Sequence, residues 1–280
     1  MSEHKQRRAY IEKLLTDATP LLMEPWSATP GADSKRNSML KTSNKSGFSD
    51  LVTIYDKRVE EFLKAQIAKD FPGEHFIGEE GSADKDSTYE KMKSLDSFWI
   101  ADPIDGTTNF SRAYPFFSST IAWVSKTSGQ HHVCSGGTLN PVSNELFSAH
   151  RGGGATLNGS PLKVTQIENP KEALLASGFV SLRAGEADHC FQTFVKVTKQ
   201  TLGVRRDGSA ALDLAFVAAG RIDSYWEWGL SPWDMATGSL LVEEAGGLVS
   251  SEKNETWTIF DPDIVSSNKL LHPWIKEQIK

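Results

Sequence analysis

Cysteine is scarce in this chain: Cys134 and Cys190 are the two among 280 residues, far apart and without metal-site spacing. A disulfide scaffold is thereby excluded, and both read as buried or free thiols of a reducing compartment, with a lone disulfide between them the alternative. No apolar run approaches the roughly 20 residues that span a bilayer. The N-terminal Met-Ser-Glu-His-Lys-Gln-Arg-Arg has no apolar core behind it, so it does not read as a secretory signal. Excess positive charge is missing as well, since the net charge is −6, which argues against a nucleic-acid footprint. None of the 7 histidines falls in a motif; His131-His132 lies mid-strand with no third ligand nearby. Internal repeats and low-complexity segments are lacking. These absences leave a cytoplasmic, globular protein with neither membrane nor nucleic acid as partner.

What is present is ordinary in bulk, with 39% hydrophobic and 24% charged residues. A chain of this length buries roughly three quarters of its unfolded surface, enough for a sizeable core. Residues 5–18 place Tyr10, Ile11, Leu14, Leu15 and Ala18 at helical spacing, before Pro20, Pro25, Pro30 and Gly31 break the chain. Asp33–Ser49, polar and rich in Lys and Ser, reads as an exposed loop or hairpin. Thr53-Ile54-Tyr55-Asp56 has capping-box spacing ahead of a helix bearing Val59, Phe62, Leu63 and Ile67. A short strand, His75-Phe76-Ile77, delivers Gly78-Glu79-Glu80, and Ser82–Ser94 reads as a surface connection. Residues 116–125 and 131–149 read as antiparallel strands broken by Gly129, Gly136-Gly137 and Asn140-Pro141. Gly152-Gly153-Gly154 and Asn158-Gly159 mark turns before a strand at Leu162-Lys163-Val164. The glycine triplet lacks the Lys-Ser/Thr of a phosphate loop and reads as hairpin geometry. From residue 172 strands alternate with helices: Leu174–Phe179, 188–202, 209–219, Ile222–Glu227, and a last helix opening near Pro232 and closing at Gly246-Gly247. That alternation predicts an α/β half behind an α+β half.

One stretch organises the rest: Trp99-Ile100-Ala101-Asp102-Pro103-Ile104-Asp105-Gly106-Thr107-Thr108-Asn109-Phe110. A buried strand ends at the turn-forming Asp-Pro, and two carboxylates three residues apart precede a loop that turns into a helix. Pro103 disfavours helix at Asp102, so that residue is expected to be extended at the strand's edge. The amides of Gly106 and Thr107 suit an anion such as phosphate. Carboxylates beside an anion repel it unless a divalent cation lies between, and hard oxygen ligands with a phosphate-sized anion point to Mg²⁺.

The string DPIDGTTNF resembles the signature of the inositol monophosphatase family of Mg²⁺-dependent phosphatases. Trp233-Asp234-Met235-Ala236-Thr237-Gly238, running on to Glu244-Ala245-Gly246-Gly247, is similar to the family's second signature, and Gly78-Glu79-Glu80 to its third element. The resemblance covers Lys45 to Gly247. It implies a layered αβαβα sandwich of the inositol monophosphatase and fructose-1,6-bisphosphatase type. One phosphatase domain would have halves at about 1–165 and 166–280, in a Li⁺-sensitive homodimer holding two to three Mg²⁺ ions.

By resemblance, Glu79, Asp102 and the Ile104 carbonyl hold a first Mg²⁺, and Asp102 bridges to a second completed by Asp105 and Asp234. Glu79 helps hold a third ion through water. The attacking water is oriented by Thr107 and Glu79, and the Gly106 and Thr107 amides bind phosphate oxygens. Substrate contacts fall to Asp105, Gly208, Ser209, Ala210 and Glu227, whose carboxylate suits a polyol. Glu80 is expected to be structural, Lys45 to lie near the metals, and Arg205 and Arg206 to pair across a subunit interface. Taken alone, Asp234 in a first helical turn reads as a capping residue, and Thr107 and Thr108 as helix caps.

The implied reaction is hydrolysis of myo-inositol monophosphate, a small-molecule phosphate ester, to inositol and phosphate by direct attack of water. Haloacid-dehalogenase-type phosphatases also pair two aspartates before Gly-Thr, but two residues apart; here the spacing is three. Related phosphatases of other sugar phosphates or nucleotide 3′-phosphates, and a non-catalytic regulatory protein on the same fold, are the alternatives.

Overall fold

The computed structural model describes residues 2–28, 34–44, 51–82, 84–179 and 187–280. Helices α1 (Glu3–Ala28) and α2 (Ser34–Leu40) precede a ribbon of β1 (Ser43–Asn44) and β2 (Leu51–Val52), then α3 (Ile54–Asp70). Next come β3 (Phe76–Gly78), α4 (Lys85–Ser94), β4 (Ser97–Asp105) and the short α5 (Thr107–Ser111). Strands β5 (Ser118–Thr127), β6 (Gln130–Asn140), β7 (Glu145–His150), β8 (Ala155–Leu157) and β9 (Ser160–Pro161) complete the first half. The second half runs β10 (Leu174–Ser177), α6 (Ala187–Thr198), β11 (Gly203–Arg205), α7 (Ala210–Ala218), β12 (Ser224–Trp228) and α8 (Pro232–Glu244). It closes with β13 (Leu248–Ser250), β14 (Asp263–Ser267) and α9 (His272–Gln278).

Seven strands, β3 to β9 in chain order, make the first sheet. Its β3–β4 pair is parallel and the following pairs are antiparallel. The second sheet has order β11-β10-β12-β14-β13, parallel among the first three and antiparallel at β14. Three apolar layers hold these sheets. Ile11 and Leu15 of α1 and Val59 and Leu63 of α3 pack on Trp99, Ile121 and Trp123. Between the sheets, Leu212 and Leu214 of α7 and Met235 and Leu240 of α8 meet Ile100, Phe147, Tyr225 and Ile264. On the outer face, Val197 of α6 and Ile275 of α9 cover Leu175, Trp226 and Val265. Helix α8 is buried nearly all round from Pro232 to Val242, its polar Thr237 and Ser239 included, as a helix between two sheets must be. The layering is the αβαβα sandwich expected from sequence. Among the described residues no helix is long and apolar enough to cross a membrane, and Cys134 and Cys190 are buried free thiols.

Several local expectations are corrected by packing. Pro20 and Pro25 do not stop α1, which continues to Ala28 with Leu22 and Pro25 buried; burial of the far turn outweighs the missing amide bonds. Part of the polar Asp33–Ser49 segment is helix α2. There Arg36 is fully buried, its guanidinium donating to the carbonyls of Pro25 (2.7 Å), Ser111 (3.3 Å) and Phe110. Lys45 lies outside the described residues. Residues 85–94 form α4, capped by Asp84 and anchored by buried Met92, not a plain connection. The strand expected at Leu162–Val164 is instead Ser160–Pro161.

Gly136 and Gly137 do not interrupt β6. A Cβ at Gly136 would sit 3.0 Å from the Thr237 side chain of α8, and one at Gly137 would sit 2.7 Å from Ile11 of α1. Two adjacent glycines thus let helices close on opposite faces of one strand. The glycine triplet likewise has a use. The amides of Gly152 and Gly154 donate to the Glu244 carboxylate at 2.8 and 2.7 Å, so the anion it cradles is the protein's own. Gly137→Val, by overpacking the α1 contact, is expected to lower stability by about 1–3 kcal/mol in urea unfolding, with secondary structure retained.

Candidate active site

Strand β4 carries the signature deeper into the sheet than the Asp-Pro step predicts. It continues to Asp105, with an irregularity in register between the Asp102–Thr120 and Asp105–Ser118 pairs. This bulge at Pro103 accommodates a residue without an amide hydrogen and brings two carboxylates three residues apart to one place. The Ile104 amide donates to Asp102 Oδ1 at 2.9 Å, closing a side-chain turn around the proline. Gly106 then starts α5 at φ 91°, where a Cβ would meet the Gly208 carbonyl at 3.0 Å. Glycine is required there for both reasons.

Asp234 arrives from the first turn of α8. Its Oδ2 accepts the Ser231 amide at 2.8 Å, so it is the helix cap that its position predicts. It is also one of three carboxylates, with Asp102 and Asp105, whose oxygens lie within 4.8 Å of one another. Asp105 Oδ2 accepts the Ser209 hydroxyl at 2.6 Å and the Ala211 amide at 2.8 Å, both from the start of α7. Glu79 leaves the end of β3 beside this group, its amide donating to the Ala101 carbonyl at 3.2 Å. Its neighbour Glu80 is held through its amide by Glu60 at 2.8 Å. Glu227, buried on β12, accepts the Tyr225 hydroxyl. Ser209 and Ala210 are buried at the start of α7, with Gly208 partly exposed before them, whereas Arg205 and Arg206 are exposed.

The acids are electrostatically uncomfortable. Burial first, and then Glu79, Asp105 and Asp234, push the Asp102 carboxyl well above the usual range. Burial likewise raises Asp234, helped by Asp105 and Glu79, and lifts Asp105 to about 7 against the opposing bonds from Ser209 and Ala211. A cation at the cluster would reverse these shifts by favouring the ionised forms. Carboxylates with a backbone carbonyl nearby form an all-oxygen donor set, which fits Mg²⁺.

Three residues escaped the reading of the sequence. Asp56 was visible only as a helix cap; it does cap α3 through Thr53, but its Oδ1 also lies 3.0 Å from the Thr107 hydroxyl. The Ile104 carbonyl is at the same distance from that hydroxyl. Burial lifts the Asp56 carboxyl to about 7. Asn109 stood inside the signature without a role. Its side-chain amide donates to the carbonyls of Phe116 and Asp207, both at 2.7 Å, and the second bond reaches 98 residues along the chain. Asp213, a buried carboxylate in the apolar helix Ala210–Ala218, could have been found by that mismatch alone.

Comparison with known proteins places this geometry. Residues 4–280 match the inositol monophosphatase family. The chain is 43% identical over 209 residues to Nus factor SuhB of Pseudomonas aeruginosa, covering 74% of each chain. It is 37% identical over 245 residues to inositol-1-monophosphatase of Caulobacter vibrioides, covering 85% of this chain and 90% of that protein. A Thermotoga maritima IMPase structure superposes with a TM-score of 0.82 at 32% identity, covering 98% of this chain and 96% of that one. An inositol monophosphatase from Anabaena superposes with a TM-score of 0.80 at 29% identity, covering 99% of this chain and 96% of that one. With a family match along nearly its whole length and the carboxylates gathered as described, the chain belongs to the inositol monophosphatase family.

Proposed function

We propose that this protein is a Mg²⁺-dependent phosphomonoesterase that hydrolyses myo-inositol monophosphate to inositol and phosphate. One observation carries the reading: oxygens of Asp102 and Asp105 on β4, both buried, and of Asp234 on the distant α8 lie within 4.8 Å of one another. Glu79, Asp102, Asp105, Asp234 and the Ile104 carbonyl are the residues that would hold two to three ions. Bound there, Mg²⁺ supplies charge for the phosphoryl oxygens and lowers the pKa of a coordinated water.

The chain's own groups handle orientation. The Thr107 hydroxyl has one hydrogen and two acceptors at 3.0 Å, the Ile104 carbonyl and Asp56. When the carbonyl is engaged elsewhere, that hydrogen belongs to Asp56, and the hydroxyl oxygen is free to accept from a water aligned on phosphorus. Asp56 is thereby the base that holds the Thr107 proton in place, with Glu79 on the other side of the water. The Gly106 and Thr107 amides face the phosphate. Glu227, its orientation fixed by Tyr225, accepts hydroxyl hydrogens of the polyol beside Gly208, Ser209 and Ala210. The two halves, about 1–165 and 166–280, act as one phosphatase domain, in a cytoplasmic, Li⁺-sensitive homodimer.

A panel of phosphate esters assayed for phosphate release tests this reading. Inositol 1-phosphate is expected to lead, with activity lost on chelation and restored by Mg²⁺; a preferred sugar or nucleotide 3′-phosphate would move the assignment to a sister activity. Asp102→Asn should reduce turnover by more than the roughly 10–100-fold that loss of a group supporting a metal ligand costs, and should abolish the thermal shift on adding Mg²⁺. Asn109→Asp places a carboxylate against two carbonyls, so kcat/KM is expected to fall about tenfold and further than in Asn109→Ala. Glu227→Ala should weaken hydrolysis of inositol 1-phosphate by about tenfold while sparing 4-nitrophenyl phosphate; equal losses on the two esters would remove Glu227 from recognition.

A further inference from the structure

Helix α3 reaches the candidate site twice. Asp56 and Glu60 stand one turn apart on it, which places them on the same face. Asp56 Oδ1 lies 3.0 Å from the Thr107 hydroxyl. The half-buried Glu60 side chain instead reaches the end of β3, where its Oε2 accepts the Glu80 amide at 2.8 Å. The chemistry described above gives Glu60 no part.

The consequence of that bond lies in the two peptides that flank the Cα of Glu79. In the Gly78–Glu79 peptide, the Glu79 amide donates to the Ala101 carbonyl at 3.2 Å, and the Gly78 carbonyl accepts the Ser82 hydroxyl at 2.6 Å. In the Glu79–Glu80 peptide, the carbonyl accepts the Ser82 amide at 3.2 Å, and the Glu80 amide goes to Glu60. Peptides are planar, so fixing both planes fixes the direction in which the Glu79 side chain leaves the backbone. Because β3 runs parallel to β4 with Gly78 opposite Ala101, Glu79 follows at the level of Asp102. Three of the four bonds arise within the turn or from β4. The fourth ties the turn to a separate helix, and a carboxylate is a stronger acceptor for an amide than a neutral group.

Gly78 fits the same account. A Cβ there would lie 2.2 Å from Glu60 Oε2 and 2.8 Å from the Phe76 ring. Both are side-chain atoms, so an alanine would push the Glu60 carboxylate off its amide before it displaced the strand. The missing side chain makes room for the carboxylate.

We infer that Glu60 is a positioning residue for Glu79. Helix α3 then sets the Glu79 carboxylate and the Thr107 hydroxyl in one frame, holding the first through Glu60 and the second through Asp56. This rests on the phosphatase reading above and adds a residue that acts through Glu79. The test compares Glu60→Ala, Glu60→Gln (which keeps an acceptor oxygen), Gly78→Ala and the double variant Glu60→Ala/Gly78→Ala. Each is measured for kcat and KM on inositol 1-phosphate, and for the Mg²⁺ concentration giving half of the metal-induced rise in melting temperature. Melting without Mg²⁺ verifies folding.

Expected in Glu60→Ala are a kcat about tenfold lower, a KM within about threefold of wild type and a Mg²⁺ midpoint about tenfold higher. Glu60→Gln should stay within about threefold of wild type in all three. Gly78→Ala should reproduce the Glu60→Ala losses, and the double variant should lose less than about threefold more, because both changes break one bond. If Glu60→Ala does not fold, Gly78→Ala takes its place with the same expectation. A wild-type Mg²⁺ midpoint in Glu60→Ala, a glutamine variant as impaired as the alanine one, or losses that multiply in the double variant would overturn the role. A wild type that binds Mg²⁺ but releases no phosphate from inositol 1-phosphate or 4-nitrophenyl phosphate would overturn the phosphatase reading, while the Mg²⁺ midpoints would still decide for or against Glu60. A wild type that does neither would overturn both.

Discussion

Like charges forced together in a dry place set the terms for this structure. At 4 Å and an effective dielectric of about 20, two carboxylates repel by about 4 kcal/mol, and here Asp102, Asp105 and Asp234 converge with Glu79 beside them. The fold holds each aspartate by one oxygen. Asp102 is held by the Ile104 amide, Asp105 by the Ser209 hydroxyl and Ala211 amide, and Asp234 by the Ser231 amide. These donors lie in the same loop or at the start of a helix, so they fix where the second oxygen points. The arrangement is stable as a set of acceptors prepared for a cation, and costly as anything else.

That preparation depends on joining two halves, which share the apolar layer between the sheets and meet at the site through specific polar contacts. Signature residues from the first sheet reach the start of α7 through Asp105 and Asn109, and the backbones of Gly106 and Gly208 approach too closely for a side chain. The first turn of α7 therefore has two duties. It orients an acid of the cluster through Ser209 and Ala211, and at its entry Asp207 receives the Asn109 side chain.

How much of this could be read from the chain alone depended on range. The carboxylates of the signature, the capping box at Thr53–Asp56 and the strand–helix alternation after residue 172 are local patterns, and they stand in the structure as residues a few positions apart. The bond between Asp56 and Thr107 spans 51 residues, so nothing in the capping box announced it. Pro20 and Pro25 misled because helix propensity is local while burial of Leu22 is not. Gly136-Gly137 misled in the opposite way: two residues that weaken an isolated strand are what two flanking helices need. Asp213 shows a third limit, since a single acid in an apolar helix is conspicuous but the acids that bear on it, Glu227 and Asp105, come from strands of the two sheets.

The Gly152–Gly154 turn has an effect beyond the hairpin it closes. Outward-facing amides in a glycine-rich turn attract anions of any origin, and Glu244, tethered at the end of α8, already fills these. Because the tenant is covalently part of the chain, its local concentration exceeds that of any free phosphate the protein would meet. A free anion finds these amides already occupied, and the far end of α8 is tied to the first sheet by the protein's own carboxylate.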